Sequence, residues 1–409
     1  MFKSLKISRW RQFADIEIDF HPNLTVLTGA NGAGKTTLLG VLSRHFGWTI
    51  PLISTPRRLR GALKFFTDYW DFDYETSQRH DLLTIGEITY SAGQRSALRV
   101  PPNVTESYNV EFSNQQPIPG LFIPSHRPVY VYQKVESIPT QLNAHEQLLS
   151  NYLNELRSRY AIGGKSRSPS FRIKESLISL ATFGYGNEAI ARNQEAIATF
   201  EGFQNVLRIV LPRALGFDRI HINPPEVVLE TATGSFSFDA VSGGIAALID
   251  ISWQLFMSSL VHPSGRFVAI IDEPENHLHP ELQRSLLPDL IEAFPNVQFI
   301  AATHNPFMVT STPESTVYAL TYTADRKVTS ASLDLANRAG SANEVLRDVL
   351  GVPFTVPEWV RNRFDDIVAR YTAHDVKEDS LKSLRNEMAQ LGMQHLFPEA
   401  VDKVIRRQP

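Results

Sequence analysis

The chain of 409 residues contains no cysteine, which excludes disulfides, thiolate catalysis and zinc sites built on cysteine. It also lacks a strong charge of either sign, because 40 lysines and arginines nearly balance 43 aspartates and glutamates. Any contact with nucleic acid would therefore need a local basic patch. We find no apolar stretch as long as a membrane span, and residues 1–20 lack the continuous apolar segment of a signal peptide. We therefore expect a cytoplasmic protein with no membrane partner.

A glycine-rich loop stands directly after an apolar run near the start of the chain. Residues 29–36 read Gly-Ala-Asn-Gly-Ala-Gly-Lys-Thr, which fits a Walker A loop between a strand and a helix. The glycines allow turns in which backbone N–H groups point at phosphates. Lys35 would then reach the β- and γ-phosphates, and the Thr36 hydroxyl would bind Mg²⁺. The residues predicted to bind ATP here are Gly29, Ala30, Asn31, Gly32, Ala33, Gly34, Lys35, Thr36 and Thr37.

A second apolar run, residues 267–271, ends in an acidic pair of the Walker B type, Asp272 and Glu273. An acidic residue at the carboxyl end of a central parallel strand lies beside the phosphate loop of the first strand. We therefore predict that Asp272 holds Mg²⁺ and that Glu273 is the general base for the attacking water.

Three further segments resemble motifs of the ABC-type ATPases, in the clade that contains SMC, RecF and OLD proteins. Residues 241–244, Val-Ser-Gly-Gly, resemble the signature motif, with Ile245 at the position of its usual glutamine. Residues 275–280 resemble the D-loop region, and His304 resembles the switch histidine that follows the next strand. The order and spacing of these segments match the family.

Two of these assignments have alternatives. His277 and His279 could be read as a metal pair, which the preceding acidic motif and Pro280 argue against. Gln133 follows a polar loop in the region where a Q-loop glutamine would lie, but a solvent-facing glutamine fits at least as well. The residues assigned to Mg²⁺ are Thr36, Asp272 and Gln133.

The resemblance also has a consequence for assembly. In ABC-type ATPases two heads sandwich two nucleotides, and the signature loop of one head contacts the γ-phosphate bound by the other. The resemblance therefore implies that Ser242, Gly243 and Gly244 act in trans, and that His304 and Glu273 are catalytic. Because the chain has one Walker A loop and one signature, the active species would be at least a dimer.

The fold class implied is α/β: an ABC-type P-loop NTPase head with a central, mostly parallel sheet and an antiparallel β portion. Helical spacing around residues 143–156 and 190–210 predicts a helical insertion with at most a short coiled coil. A helical C-terminal tail follows. The predicted domains are 1–140 (first half of the head), 141–215 (helical insertion), 216–335 (second half of the head) and 336–409 (C-terminal region).

The most basic part of the chain runs from Arg157 to Lys174, and a second cluster runs from Arg57 to Lys64. Such clusters could contact nucleic acid or an acidic partner through ion pairs. A solvated loop and helix face explains them equally well.

The tail lacks the strand-end glutamate and Asp-x-Asp metal site of the Toprim nuclease that OLD proteins carry, so the chain resembles an ATPase without its own effector. It is similar to the compact ABC-type ATPases of bacterial phage-defence systems, first those of PARIS and second those of Septu. This implies a homo-oligomer larger than a dimer, a separately encoded effector nuclease and a phage-encoded trigger protein. We expect a slowly hydrolysing ATP switch; the alternatives are a RecF- or SMC-like DNA-repair ATPase and a mainly structural scaffold.

Overall fold

The structure is a computed structural model, which describes residues 1–59, 62–68, 70, 81–102, 106–127, 130–162, 168–262, 265–334, 342–350, 357–372 and 378–406. It divides into two compact units, Met1–Val345 and Leu346–Pro409. The larger unit contains all the motifs described above. The three predicted segments 1–140, 141–215 and 216–335 therefore form one unit, and its border lies after Val345.

The larger unit is built on a mixed sheet, which has eleven strands among the described residues, in the order β10-β8-β7-β1-β2-β18-β17-β3-β16-β15-β11. Strands β11, β15, β16, β3 and β17 run parallel, whereas β10, β8, β7, β1 and β2 pair antiparallel. The predicted parallel sheet and antiparallel portion are thus two halves of one sheet. The strands of this sheet are β1 Phe2–Trp10, β2 Phe13–Asp19, β3 Leu24–Gly29, β7 Leu83–Tyr90, β8 Arg95–Val100, β10 Glu111–Phe112, β11 Gly120–Ile123, β15 Val268–Asp272, β16 Gln298–Ala302, β17 Thr316–Tyr322 and β18 Val328–Ser332.

Small sheets and helices complete this unit. The small sheets comprise β4 Leu52–Ile53 with β9 Ser107–Tyr108, β5 Thr55–Leu59 with β6 Ala62–Phe66, and β12 Phe217–Asn223 with β13 Glu226–Thr231 and β14 Gly234–Ser237. The helices are α1 Lys35–Ser43, α2 His145–Ile162, α3 Pro169–Tyr185, α4 Gln194–Val210, α5 Gly243–Val261, α6 Pro280–Ala293 and α7 Pro306–Val309. A helical turn, Ala342–Glu344, lies near the end of this unit, and a π-helix, Val345–Val349, begins at its last residue. Short 3₁₀ turns lie at Arg44–Phe46, Arg213–Leu215 and Phe238–Ala240.

The helical insertion has three helices, α2 to α4, rather than the two that sequence spacing predicted. The helix that was missed is α3, whose first turn holds Pro169 and whose buried face includes Ile173 and Leu177. Arg172 and Lys174, near its start, belong to the basic stretch, so composition indicated a charged loop instead. The insertion packs on α5, where the Phe203 ring meets Trp253 edge-on with centroids 5.0 Å apart.

By length and composition α5 is apolar enough to cross a membrane, a property that the sequence analysis did not recognise. However, 72% of its most apolar stretch is buried inside the larger unit. Helices α2 and α4 both pack against it. In this fold α5 is therefore a core helix between the insertion and the sheet.

An acidic side chain is buried where the insertion meets α5. Asp250 accepts hydrogen bonds from the Tyr152 hydroxyl of α2 and from Gln254 Nε2 at 3.0 Å. Burial raises the pKa of Asp250 to about 6, and these hydrogen bonds oppose the rise. While Asp250 is protonated in both the folded and the unfolded state, its titration therefore does not change the free energy of unfolding. That free energy falls as pH rises from about 4 to about 6.

We expect Asp250→Asn to gain stability over the wild type as pH rises through this range, by about 2–3 kcal/mol at neutral pH. The amide introduced by this substitution can donate to Gln254 Oε1, a buried atom with no partner among the described residues, once the Gln254 amide turns over. Denaturant unfolding between about pH 4 and pH 8 measures the difference. Asp218→Asn, at an exposed position, is the control. A difference in unfolding free energy that does not change with pH would contradict the burial argument.

The smaller unit is helical, as predicted. Its helices are α8 Glu358–Thr372, α9 Glu378–Gln390 and α10 Phe397–Arg406, with a 3₁₀ turn at Gln394–Leu396. They enclose a separate core, formed by Val360, Phe364, Ile367, Val368, Leu384, Met388, Met393, Ala400 and Val404.

Candidate functional site

The glycine-rich loop joins β3 to α1, as its position in the sequence predicted. Gly29, Gly32 and Gly34 all have positive φ angles, of 141°, 82° and 96°. A Cβ atom on Gly29 would lie 2.4 Å from the Leu320 carbonyl oxygen, so any side chain there would displace the neighbouring strand β17. The loop thus has the tight backbone that a phosphate cradle needs.

Lys35 and Thr36 begin α1 at the mouth of this loop. Lys35 Nζ donates to the carbonyl oxygens of Gly29 at 2.8 Å and Ala30 at 3.2 Å. Burial lowers the pKa of Lys35, while Glu273 and Asp272 act in the opposite direction. The side chain therefore places its ammonium group among the loop's own carbonyls, within reach of a phosphate bound there.

The Walker A and Walker B segments meet through one hydrogen bond. The Thr36 hydroxyl donates to Asp272 Oδ2 at 3.0 Å, since β15 is two strands from β3 in the parallel half of the sheet. Asp272 Oδ1 is buried and has no hydrogen-bond partner among the described residues. Burial raises the pKa of Asp272 to about 6. The Thr36 hydroxyl and the Asp272 carboxylate, whose Oδ1 is buried without a partner among the described residues, fit a Mg²⁺ ion, which prefers oxygen ligands.

Glu273 leaves the strand in a strained turn. Its φ angle is +45°, in the left-handed region that costs a residue with a side chain roughly 1–2 kcal/mol. Its backbone N–H donates to the Ala302 carbonyl at 2.8 Å, and Glu273 Oε2 accepts from Asn276 Nδ2 at 2.9 Å. His304 Nδ1 lies 3.5 Å from Glu273 Oε1. The structure thus brings Glu273 and His304 together at the end of the Walker B strand.

Three residues of this centre, Glu275, Arg127 and Asn276, were given no individual role by the sequence analysis. Glu275 is buried, and its Oε1 accepts from Thr303 Oγ1 at 2.5 Å and from the His304 N–H at 3.3 Å. The Arg127 guanidinium donates to the Glu273 carbonyl at 3.1 Å, and Asn276 donates to the Ser125 carbonyl at 3.2 Å. Each depends on contacts between residues far apart in the chain. The sequence signalled Glu275 and Asn276 only as part of the D-loop-like segment, residues 275–280, without a contact for either side chain.

The signature residues lie at the start of α5. Ser242 caps this helix, since its hydroxyl accepts from the Ile245 N–H at 3.4 Å, and both Ser242 and Gly243 are exposed. A Cβ on Gly243 would meet no atom within 4 Å, and one on Gly244 would lie 3.0 Å from the His277 carbonyl. No hydrogen bond among the described residues joins this loop to the Walker A loop of the same chain. The loop is therefore open to another molecule.

Gln133, which was assigned to Mg²⁺ with Thr36 and Asp272, makes hydrogen bonds with residues of the helical insertion and just before it. Gln133 Oε1 accepts from the Ser168 N–H at 2.8 Å, just before α3, and its carbonyl accepts from Lys174 Nζ at 2.9 Å. These contacts fasten the segment to the helical insertion. The assignment of Gln133 to Mg²⁺ stays a prediction.

The basic stretch from Arg157 to Lys174 is largely bonded within the protein. Lys174 is fully buried and pairs with Asp239 at 2.5 Å. Arg172 pairs with Glu175 at 3.0 Å, and Arg157 donates to the Phe46 carbonyl at 2.6 Å. Residues 163–167 lie outside the described residues, as does Arg60 of the second cluster. The described cations of this stretch thus serve the packing of the insertion, and composition alone could not show their burial.

The metal-pair alternative for the two histidines is not supported. His279 caps α6, because its Nδ1 accepts from the Glu281 N–H at 3.4 Å, and His277 adopts a φ of +70° in the preceding turn. Among the described residues no group of three or more His, Asp or Glu could hold a metal ion.

A cavity of about 490 Å³ lies beside the Walker A loop. Gln12 connects the two, because a Cβ on Gly34 would lie 2.4 Å from Gln12 Nε2. Lys327 Nζ lies 4.3 Å from the centre of the Trp70 ring inside this cavity. Its walls combine aromatic rings and cations: Arg11, Gln12, Arg57, Phe66, Asp68, Trp70 and Lys327.

Comparison with known families and proteins agrees with this site. Residues 4–118 match the family described as "AAA domain", and residues 229–310 match "AAA domain, putative AbiEii toxin, Type IV TA system". The first match includes the Walker A loop, and the second includes the signature, the Walker B pair and His304. The protein is an ATPase with the ABC-type fold, and it is similar to the ATPases of bacterial defence systems.

Among curated proteins, the Septu protein PtuA of Bacillus thuringiensis is 21% identical over 372 residues, which are 87% of this chain and 85% of the relative. The probable ATPase of retron Vc95 from Vibrio cholerae serotype O1 biovar El Tor is 40% identical over 70 residues, 16% of this chain and 14% of that protein. Among solved structures, the SMC head domain from Thermotoga maritima gives a TM-score of 0.38 at 13% identity, covering 82% of this chain and 98% of that one. The predicted resemblance to the Septu ATPase is thus confirmed, and that to the PARIS ATPase stays a prediction.

Proposed function

We propose that this chain is the ATP-binding and ATP-hydrolysing switch subunit of an anti-phage defence complex. It would work in the cytoplasm as a homo-oligomer, hold a separately encoded effector nuclease, and release or activate that nuclease when a phage protein is sensed. The similarity to PtuA along most of the chain supports the defence role. The observation that carries the ATPase role is the contact of Thr36 with Asp272 beside the Glu273–His304 pair.

The proposed chemistry assigns each residue of the centre a step. The Walker A loop and Lys35 would bind the β- and γ-phosphates, and Thr36 with Asp272 would hold Mg²⁺, which when bound neutralises phosphate charge. Glu273, kept in place by Asn276, would accept the proton of the attacking water at its carboxylate. His304, beside Glu273, would contact the γ-phosphate.

The cavity beside the loop suits the rest of the nucleotide. Trp70, which is partly exposed, offers aromatic surface for a purine, while Arg11 and Lys327 offer donors and positive charge near the ribose and phosphates. The exposed Ser242 and Gly243 of a second copy would close the site over the γ-phosphate. ATP would then join two heads, and hydrolysis would remove the group that bridges them.

Affinity capture from the native host tests the defence role. Tagged Glu273→Gln protein, with added ATP, is expected to retain a nuclease-like chain in stoichiometric amount on a particle of more than two copies. Mass spectrometry identifies the retained chains, and native mass spectrometry gives the particle mass. Tagged Lys35→Ala protein is the control that should not respond to ATP. Recovery of DNA alone, with salt-dependent binding and no protein partner, would favour a DNA-repair ATPase and contradict the proposal.

The contacts of the basic stretch also bear on this choice. A repair ATPase that uses the Arg157 to Lys174 stretch needs cations free to meet phosphates. Lys174 is instead buried beside Asp239 and Glu226, and Arg172 lies between Glu155 and Glu175. The described part of the stretch therefore favours the defence switch over direct binding of DNA.

A further inference from the structure

Arg127 is a buried cation behind the Walker B turn. It lies beyond the carboxyl end of β11, and its side chain is almost completely buried. Its Nη2 donates to the Glu273 carbonyl at 3.1 Å and its Nη1 to the Asn276 carbonyl at 3.4 Å. Both bonds go to the backbone of the turn that carries the proposed general base.

The loop that carries Arg127 also contacts the Walker B turn through Ser125. The Ser125 carbonyl accepts from Asn276 Nδ2, and this amide also donates to Glu273 Oε2. One loop therefore contacts the backbone of Glu273 directly and its carboxylate through Asn276. A planar guanidinium suits this position because it donates to two carbonyls in fixed directions.

The turn needs such support because its backbone is strained. Glu273 and His277 both adopt left-handed φ angles, +45° and +70°, without being glycine. Strained residues persist only where surrounding contacts hold them, and they concentrate at functional sites. Without Arg127 the carbonyls of Glu273 and Asn276 would each lose a charged donor.

Several carboxylates surround the buried guanidinium of Arg127. Burial lowers the pKa of Arg127, and the carboxylates of Asp250, Glu275, Asp272 and Glu273 act in the opposite direction. The guanidinium is thus a buried positive charge within a group of acidic residues. The hydrogen bonds that it makes to described residues go to the Walker B turn and not to the Walker A loop, so we expect little effect of Arg127 on nucleotide binding.

We propose that Arg127 is a positioning residue, which fixes the orientation of Glu273 for hydrolysis by bonding the backbone of its turn. This inference rests on the proposed role of Glu273 as general base. Loss of the guanidinium should therefore slow turnover with little effect on ATP affinity. It should also have no effect once the base itself is gone.

The test combines two substitutions at Arg127 with Glu273→Gln. We expect Arg127→Gln to lower kcat by about 10- to 100-fold, the scale of a misplaced catalytic group, with KM changed less than about threefold. Arg127→Lys keeps the charge and one donor direction, so its loss of kcat should be about 3- to 10-fold. Arg172→Gln, which removes a partly buried arginine from α3, is the matched control and should keep wild-type turnover.

The double variant distinguishes positioning from a structural role. Adding Arg127→Gln to Glu273→Gln should leave the remaining turnover unchanged, because both act on one step. Losses that multiply would overturn the inference, as would wild-type kcat in a folded Arg127→Gln protein. If Arg127→Gln does not fold, wild-type kcat in Arg127→Lys overturns it. Glu273→Gln that hydrolyses like wild type would instead refute the proposed general base itself.

Discussion

Lys35→Ala is expected to weaken ATP binding by about a hundredfold or more, the effect of losing a charge-assisted contact to each of two phosphates. In the described part of the chain, Lys35 Nζ donates hydrogen bonds to the carbonyls of Gly29 and Ala30 within its own loop. These neutral acceptors hold the ammonium group less strongly than a phosphate would. Alanine removes that group and leaves the loop backbone without a replacement donor.

Calorimetric titration of ATP into the purified variant measures this loss, and the rise in melting temperature with ATP measures it independently. Lys6→Ala is the control, because Lys6 is exposed on β1 and pairs with Glu17. The melting temperatures without nucleotide show whether Lys35→Ala keeps the fold. A folded variant that binds ATP as tightly as wild type would contradict the assignment of the loop.

The parts of this site that the sequence predicted are local in the chain. A phosphate loop needs its glycines, lysine and threonine within eight residues, and an acidic pair at the end of a buried strand is equally compact. The contact of Thr36 with Asp272 follows from strand order, which the fold class implies. Such features can be identified from residue types and spacing alone.

The contacts that the sequence did not predict join residues far apart in the chain. Arg127 and Glu273 are far apart in sequence, and only the adjacent parallel strands β11 and β15 bring them together. Gln133 was assigned to Mg²⁺ by its order in the chain, yet the insertion takes its side chain. Lys174 was expected at a charged surface, but burial depends on which acidic residues α3 meets. None of these contacts leaves a signal in the residue types or spacing near Arg127, Gln133 or Lys174, so the sequence could not predict them.

Glu273→Gln is expected to bind ATP normally and to hydrolyse it about 10²- to 10⁴-fold more slowly, the scale for loss of a general base. The amide has the shape of the carboxylate, so its oxygen can still accept from Asn276 Nδ2. It cannot take a proton from water near neutral pH. Single-turnover hydrolysis of radiolabelled ATP measures the chemical step, and Glu292→Gln, exposed on α6, is the control.

The same variant should accumulate the ATP-bound dimer, because the nucleotide that joins two heads is no longer consumed. Light scattering should show at least a doubling of the particle mass when ATP is added. The double variant Glu273→Gln/Ser242→Arg, in which a large side chain replaces the exposed helix cap, should show no rise in mass. Ser242→Arg alters no residue of the Walker A loop, so each separate head should still bind ATP. Undiminished hydrolysis by Glu273→Gln would refute the Walker B assignment. Slow hydrolysis without any rise in mass would leave that assignment intact and refute the role of Ser242 in a second head's site.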